Sequence, residues 1–505
     1  MASFQVINFG CRATQADGAA IERQFRERGW VRAADPAEAG IVVLNTCTVT
    51  AAADQDARAA IRRIHRKNPE TQIVVTGCYA QRAPEEIAAL PGVSQVIGNS
   101  HKHQLAEIAG ARLRTSGVGP RTPDLGLQTL DLRPRLNDLD CEAGSQAAGF
   151  VPLTRLASEV RGLAPEVRSP IFVSDIFAHT ELQAAPVFDA ANERTRPNLK
   201  VQDGCDNRCS FCVIPYVRGQ SRSLKLAEVI REVDGLVAAG YREVVISGIN
   251  LGRWGRDLAV SPQPSAVSRT GQLPTTSAQR PGLTDLVRAI LSETNLQKLR
   301  ISSVEPMDWS DELIRLVATS PRIAKHAHVP MQSGSDAVLR RMHRKYRPWH
   351  YRERVETIRA ALPTAAIGAD VMVGFPGETE EEFEETRRMV EDLPFTYLHV
   401  FTYSARPGTP AAAMASQVPA EVARERSRIL REIASEKKLA FMRGFVGGPV
   451  EAITLSLSGR SSGSETEALT DNYLQLRLTG KLAPNQWIRA RVQNLIDGEL
   501  VGMPA

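Results

Sequence analysis

The sequence predicts an α/β protein with two parallel-sheet series and a small all-β tail. Three observations predict it. Short apolar runs alternate with helical patterns over the first hundred residues, a second alternating series starts at residue 196, and the pattern changes to period two after residue 445. The expected architecture is an N-terminal parallel-sheet α/β domain, a central partial (β/α)6 barrel and a C-terminal small β-barrel.

In the first series, FQVINFG, GIVVLNT, QIVVTG and SQVIGN read as buried strands, with DGAAIERQFRERG and ADQDARAAIRRIHRKN as helices between them. This sets a domain at 1–110. Residues 111–190 are rich in Gly, Pro, Ser, Thr and Arg with weak periodicity and read as an irregular connection. Its more apolar final part, SPIFVSDIFAHTELQAAPVFDAANERTRP, is expected to lie along a neighbouring domain. The central domain spans 191–428, with strands at NLKVQ, EVVIS, KLRISS, KHAHVPM, AAIGADVMVG and TYLHVFTYS. Six βα units suit a partial TIM-type barrel, whose site lies at the carboxyl ends of its strands. A low-complexity insertion at 260–282 interrupts the series. A basic amphipathic helix covers 420–444, its last part (429–444) linking to short strands over 445–505 that predict a barrel.

The chain has 505 residues, 43% hydrophobic and 24% charged, an ordinary soluble composition. No run approaches the roughly 20 apolar residues of a membrane helix, and MASFQVINFGC has no secretory pattern. The expectation is a cytoplasmic monomer with no membrane association. Net charge is +5. The run RRMHRKYRPWHYRER (340–354) holds one acid among its arginines and lysines, and ARAAIRRIHRKNP (57–69) holds five basic residues and no acid. Both suit a phosphate backbone, or else a solvated helix face. The tail from 445 holds five basic residues and six acids, so it is not itself basic.

Seven cysteines argue against a purely disulfide framework. Cys205, Cys209 and Cys212 fall in GCDNRCSFC, spaced C-x3-C-x2-C directly after the first strand of the central series. Three thiolates on a four-iron cluster leave one iron open to a small molecule. Structural zinc needs a fourth ligand, and none follows at a standard spacing. Cys11, Cys47 and Cys78 each end a strand of the first series. Parallel strands point the same way, so these three distant residues converge on one edge, which suits a second cluster with an open iron. Three ordinary buried cysteines are the plainer reading of such scatter. Cys141 has no assigned role.

GCDNRCSFCVIPYVRGQSRS resembles the signature of radical S-adenosylmethionine (SAM) enzymes, in its methylthiotransferase version. NFGC, NTCTVT and TGCYAQ resemble the N-terminal motifs of that family, except that Thr14 stands where relatives carry Asn. SGINLGRWGRDL, SSVEP, HVPMQSGSDAVLRRMHRKY and GADVMVGFPGETEEEF resemble further family motifs, and LTDNYLQLRL resembles the RNA-binding TRAM barrel.

The resemblance implies two 4Fe-4S clusters, on Cys205, Cys209 and Cys212 and on Cys11, Cys47 and Cys78, with SAM chelated by the open iron of the first. Phe211 stands at the family's aromatic position. Gly248 and Asn250 are expected near the SAM amino-acid moiety, Ser303 and Glu305 at its ribose, and Gln332 and Ser333 as further polar contacts. Arg340, Arg341, Arg344, Lys345, Arg347 and Tyr473 are expected to touch RNA, though burial of Tyr473 and Trp487 in the tail's core fits the sequence equally well.

The implied reaction methylthiolates C2 of N6-threonylcarbamoyladenosine at position 37, in the tRNA anticodon loop. It uses a 5′-deoxyadenosyl radical, sulfur from the second cluster, a second SAM as methyl donor and a reducing donor such as flavodoxin. The alternatives are isopentenyladenosine in tRNA, an aspartate of a ribosomal protein, or a non-catalytic metal-containing RNA-binding protein.

Overall fold

A computed structural model describes residues 2–111, 170–179, 182, 195–258, 280–456 and 465–505. Most of the 111–190 connection, Cys141 and the expected insertion up to residue 279 lie outside them.

The N-terminal sheet is built from β1 (Ser3–Asn8), β2 (Val31–Arg32), β3 (Ile41–Thr46), β4 (Gln72–Gly77), β5 (Val93–Ile97) and β6 (Ile171–Phe172). All pairs are parallel, in the order β2-β1-β3-β4-β5-β6. The four longer strands are the four expected runs. The apolar end of the connection supplies β6 and so lies along the sheet edge.

Helices α1 (Arg12–Glu27), α2 (Ala51–Lys67), α3 (Cys78–Arg82), α4 (Pro84–Ala88) and α5 (Leu105–Ala111) cover both faces. On one face Ile21 and Phe25 of α1 pack on Phe4, Ile41 and Val43. On the other, Ala57, Ile61 and Ile64 of α2 pack on Val42, Leu44, Ile73 and Val75. Strands buried on both faces need apolar residues at every position, hence the unbroken run IVVL. Thr50 caps α2 by accepting from the Ala53 N–H.

The central domain runs β7 (Asn198–Asp203), α6 (Ile214–Arg218), β8 (Arg222–Ser223), α7 (Leu226–Ala238), β9 (Glu243–Gly248), α8 (Leu283–Glu293), β10 (Lys298–Ile301), α9 (Asp311–Thr319), β11 (His326–His328), α10 (Asp336–Arg341), α11 (Pro348–Ala361), β12 (Ala366–Val373), α12 (Glu380–Asp392), β13 (Tyr397–Thr402) and α13 (Ala420–Arg443). Its six parallel strands are the six expected. They form sheets β10-β9-β7-β8 and β11-β12-β13, joined by bridges Leu299–Ile323 and Ser303–His328. The barrel stays open between β13 and the β7/β8 side, where α1 packs. Helix α13 runs unbroken through residue 428, so the boundary expected there falls inside a helix.

Each barrel strand alternates. Leu199 and Val201, Val244 and Ile246, Leu299 and Ile301, Ala327 and Val329, Ile367, Ala369 and Val371, and Val400 join one core with the surrounding helices. The intervening residues, among them Asn198, Lys200, Gln202, Ser247, Arg300, Ser302, His326, His328, Asp370, Tyr397 and His399, face the bore. Branched apolar side chains pack the interior of a TIM barrel, whereas this bore is lined with hydrogen-bonding groups.

The tail, β14 (Pro449–Thr454), β15 (Glu465–Thr470), β16 (Gln475–Thr479), β17 (Trp487–Ile496) and β18 (Glu499–Pro504), closes into the expected barrel in the order β14-β15-β16-β18-β17. It docks at the strand-start end of the larger barrel. The Arg300 guanidinium donates to the carbonyls of Asp471 (3.0 Å) and Thr470 (3.4 Å), Asn472 Nδ2 to the Thr364 carbonyl (3.0 Å) and Asn485 Nδ2 to the Gly240 carbonyl (2.8 Å).

Candidate metal centres around one polar bore

Strands β1, β3 and β4 are neighbours in register, with Asn8 opposite Asn45 and Thr46 opposite Gly77. The chain leaves each within a few residues, at Cys11, Cys47 and Cys78. Two glycines make this convergence possible. Gly10 has φ +100°, and a Cβ there would sit 2.5 Å from Cys47 Cβ and 2.9 Å from its Sγ. Gly77 has φ +98°, and a Cβ would lie 2.3 Å from the Thr46 carbonyl oxygen. Thr14 donates through its hydroxyl to the Cys11 carbonyl (2.7 Å), and its own carbonyl accepts from Asn45 Nδ2 (2.6 Å), so the turn is held without an asparagine at that position.

Cys47 and Cys78 are buried and Cys11 is exposed. Burial pushes the Cys47 thiol up to about 11, with the negative charge of Cys78 adding to it. A positive ion is the natural counterweight, since metal binding deprotonates a coordinating thiol. Donors already point at sulfur: the Val49 N–H at Cys47 Sγ (3.5 Å) and Asn99 Nδ2 at Cys78 Sγ (3.7 Å).

The second trio lies on the loop after β7. The Asn207 N–H donates to Cys205 Sγ (3.4 Å), Asn250 Nδ2 to the same sulfur (3.7 Å) and Arg344 Nη1 to Cys209 Sγ (3.2 Å). Burial pushes the Cys212 thiol up to about 12 and raises that of Cys205. Sulfur-directed donors and a guanidinium fit three thiolates carrying a cluster. Asn250 is buried, and its Oδ1 has no hydrogen-bond partner among the described residues. An orphaned acceptor beside the cysteines fits an amino-bearing ligand such as SAM.

The other expected residues fall in different places. Gly248 abuts Gln202, whose Oε1 a Cβ would approach to 2.7 Å. Phe211 packs edge-on against Phe375. Ser303 Oγ pairs with His328 Nδ1 at 2.7 Å, and Glu305 with Arg344. Gln332 sits at φ +66° over β12, its N–H donating to the Asp370 carbonyl (2.8 Å). Ser333 is fully buried, bonded to Thr386 Oγ1 (3.1 Å) and accepting from the Ser335 N–H (3.1 Å), so it fixes the loop and does not face the mouth.

Most of the residues expected to touch RNA have partners of their own in this structure. Arg341 is taken by Glu382 and Arg344 by Glu305 and Cys209. Arg340 and Arg347 pair with Asp336, and Lys345 remains exposed with no ion pair among the described residues. Tyr473 turns into the molecule, its ring 4.8 Å from that of His326 and 5.9 Å from that of Tyr397. Most cations of the 340–354 run pair with acids, with Asp336 nearby and with Glu305, Asp311, Glu382 and Asp392 from distant segments.

One constellation was invisible in the sequence. Asp17 of α1 bonds Lys102 (3.0 Å), Lys200 and Arg218 (2.9 Å), while Asp203 bonds Lys200 (2.7 Å) and Arg218 (2.9 Å). Burial pushes both carboxyls up, but Lys102, Lys200 and Arg218 around Asp17, and Arg218 and Lys200 around Asp203, outweigh it and hold both below the usual carboxylate range. Its members are separated by up to 201 residues, so no spacing announces it. Asp17 follows Cys11 on α1, and Asp203 precedes Cys205. The network thus ties the two cysteine trios together. A second tie joins Thr48 and Asp54, beside Cys47, to Arg406 beyond β13.

A profile described as Uncharacterized protein family UPF0004 matches residues 3–98, and one described as Radical SAM superfamily matches residues 199–390. The chain is 34% identical over 487 residues to the threonylcarbamoyladenosine tRNA methylthiotransferase MtaB of Bacillus subtilis, covering 95% of this chain and 91% of that one. It is 30% identical to the protein of the same name from Aquifex aeolicus, covering 96% and 98%. The tRNA-2-methylthio-N(6)-dimethylallyladenosine synthase of Acidothermus cellulolyticus is 29% identical, covering 99% and 84%. Among solved structures, the radical SAM methyltransferase TsrM from Kitasatospora setae, with cobalamin and a [4Fe-4S] cluster bound, superposes with a TM-score of 0.50 at 16% identity, covering 82% of this chain and 74% of that one.

Proposed function

The chain belongs to the radical SAM tRNA methylthiotransferase family, and from that premise we propose that it inserts a methylthio group at C2 of N6-threonylcarbamoyladenosine at position 37 of tRNA. One observation carries the substrate choice: the polar bore. A dimethylallyl group would lay hydrocarbon against His328, Asp370, Tyr397 and His399 and strip water from the Asp370 carboxylate and the His399 ring without replacing it. A threonylcarbamoyl group brings a urea, a hydroxyl and a carboxylate to the same surface.

Cys205, Cys209 and Cys212 would hold the cluster that binds SAM, and Cys11, Cys47 and Cys78 the auxiliary cluster. Bound there, these groups supply radical formation, sulfur and the methyl group. The chain's own residues set the stage. Asn250 steadies Cys205 and offers its free Oδ1 to an amino group. Glu305 orients Arg344, whose guanidinium offsets the charge of the Cys209 thiolate. Ser303 and Gln332 edge the opening through which the base enters, and Phe211 on Phe375 covers one side of the cysteine loop. The Asp17–Asp203 network fixes the two trios relative to each other, and radical transfer depends on that registration. A low-potential protein donor supplies electrons to a monomeric enzyme acting in the cytoplasm. No helix among the described residues is long and apolar enough to cross a membrane.

Nucleoside mass spectrometry of tRNA tests the assignment, in a bacterial host stripped of its own methylthiotransferases and expressing this chain. The expected product is 2-methylthio-N6-threonylcarbamoyladenosine. The isopentenyl analogue in its place overturns the substrate. No new nucleoside, with both clusters loaded, overturns tRNA methylthiolation.

A further inference from the structure

This inference rests on the threonylcarbamoyl reading and asks which residue recognises that group. The substituent ends in a carboxylate, so its receiver should be a cation that no protein carboxylate already neutralises. Most cations in and around the bore fail this requirement. Lys200 and Arg218 are taken by Asp17 and Asp203, Arg300 by Glu243 and Arg344 by Glu305.

Arg12 meets it. Its side chain is exposed, and no carboxylate pairs with it among the described residues. Among the described residues its one side-chain hydrogen bond runs from Nη2 to the Tyr473 hydroxyl, at 3.2 Å. Its main chain is pinned, the carbonyl accepting from Asn198 Nδ2 at 3.0 Å, so the residue stands where α1 crosses the open side of the barrel. From Tyr473 a band of side chains leads up the bore. The Tyr473 and Tyr397 rings lie 5.9 Å apart, Tyr397 and His399 5.3 Å, and His399 and His328 5.7 Å, and His328 then bonds Ser303 at the mouth. The Arg12 charge is felt by His326 and His399, where it adds to burial in disfavouring protonation.

Asp370, the acid of this band, lies beside His328 nearer the mouth, where it faces the donor groups of the substituent. Tyr473 accepts from Arg12, and its own O–H is left to donate.

We propose that Arg12, braced by Tyr473, binds the carboxylate of the N6-threonylcarbamoyl group and so determines which modified adenosine the enzyme accepts.

The test compares two anticodon stem-loop RNAs, one carrying N6-threonylcarbamoyladenosine at position 37 and the other its neutral primary amide, with the reconstituted holoenzyme. The natural chain should prefer the acid by about 100-fold or more in kcat/KM, since a site built for one polar group rejects the analogue lacking it. Arg12→Gln should bring the preference to within a few-fold. Arg12→Lys should fall between, because it keeps the charge and loses the planar fork. Iron content is measured for each variant, because Arg12 adjoins Cys11.

An Arg12→Gln enzyme with full iron and an undiminished preference overturns the proposal. Should Arg12→Gln lose iron, Arg12→Lys decides: a reduced preference supports the proposal and an intact one overturns it. A natural enzyme that methylthiolates isopentenyladenosine RNA and neither of these two overturns the substrate reading itself, an outcome distinct from failure at Arg12.

Discussion

Gly10 binds nothing, yet Cys47 is where it is because Gly10 has no side chain. A methyl there would overlap both Cβ and Sγ of Cys47, and φ +100° would strain any other residue. Gly10→Ala should therefore cost about 1–3 kcal/mol and roughly halve the iron bound per chain, with the loss confined to the auxiliary site. Iron analysis with electron paramagnetic resonance of the reduced protein checks this, and a Gly10→Ala enzyme with full iron would refute it. At this scale the sequence was informative about ligands and silent about partners. Cysteines at strand ends could be read directly, because strand direction fixes where a strand end points. That Ser333 faces Thr386, or that Arg344 faces Cys209, depends on which loops stack, and the local chain does not encode this.

Among the elements, the six barrel strands carried more information than their apolar content. KLRI, HAH and YLHV alternate, and the alternation already separates a helix-packed face from a polar bore. The two-residue strands β2 and β6 left no periodicity to find, and the unbroken α13 shows how little a domain boundary means inside a helix. Helix α2 is the counterpart of the mostly neutralised 340–354 run. Ala57, Ala60, Ile61 and Ile64 bury one face, while Arg62, Arg63, Arg66 and Lys67 stay exposed with no ion pair among the described residues. It starts just after Cys47, and Arg62 lies about 16 Å along it, within range of an RNA stem whose loop enters the mouth. Arg62→Glu/Arg66→Glu should raise KM for tRNA several-fold and flatten the salt dependence of binding by about one slope unit per lost phosphate contact. Filter binding from low to moderate salt measures it, and an unchanged slope removes α2 from the interface.

The whole molecule is held in register by charges it buries. Arg218 is almost fully buried between two carboxylates. Arg218→Met should destabilise the protein by about 3–5 kcal/mol, since it leaves buried acids with fewer counter-charges. Thermal unfolding of the loaded enzyme reads this loss. Acid should act in two stages. Burial keeps His326 and His399 neutral in the folded protein, and His101 likewise. The unfolded chain binds protons first as pH falls below about 6.5, and stability declines from there. Asp17 and Asp203 are held low in the folded protein, so the unfolded chain takes up their protons first as pH falls below about 4, and their contribution shrinks from there until both protonate in the folded state as well. A stability profile flat from pH 7 to 5 would contradict the first stage.

The same seam imposes an order of manufacture. Cys47 and Cys78 are 5% and 2% exposed with the domains docked, and the Asp17–Arg218 and Asp54–Arg406 contacts shut the molecule beside them. Of the three sulfurs only that of Cys11 stays exposed, so an iron carrier meets one ligand of the latched molecule and not all three. Loading is expected to run faster before the N-terminal domain latches than after, so slow metal supply in the cell would favour chains that close first and fill late.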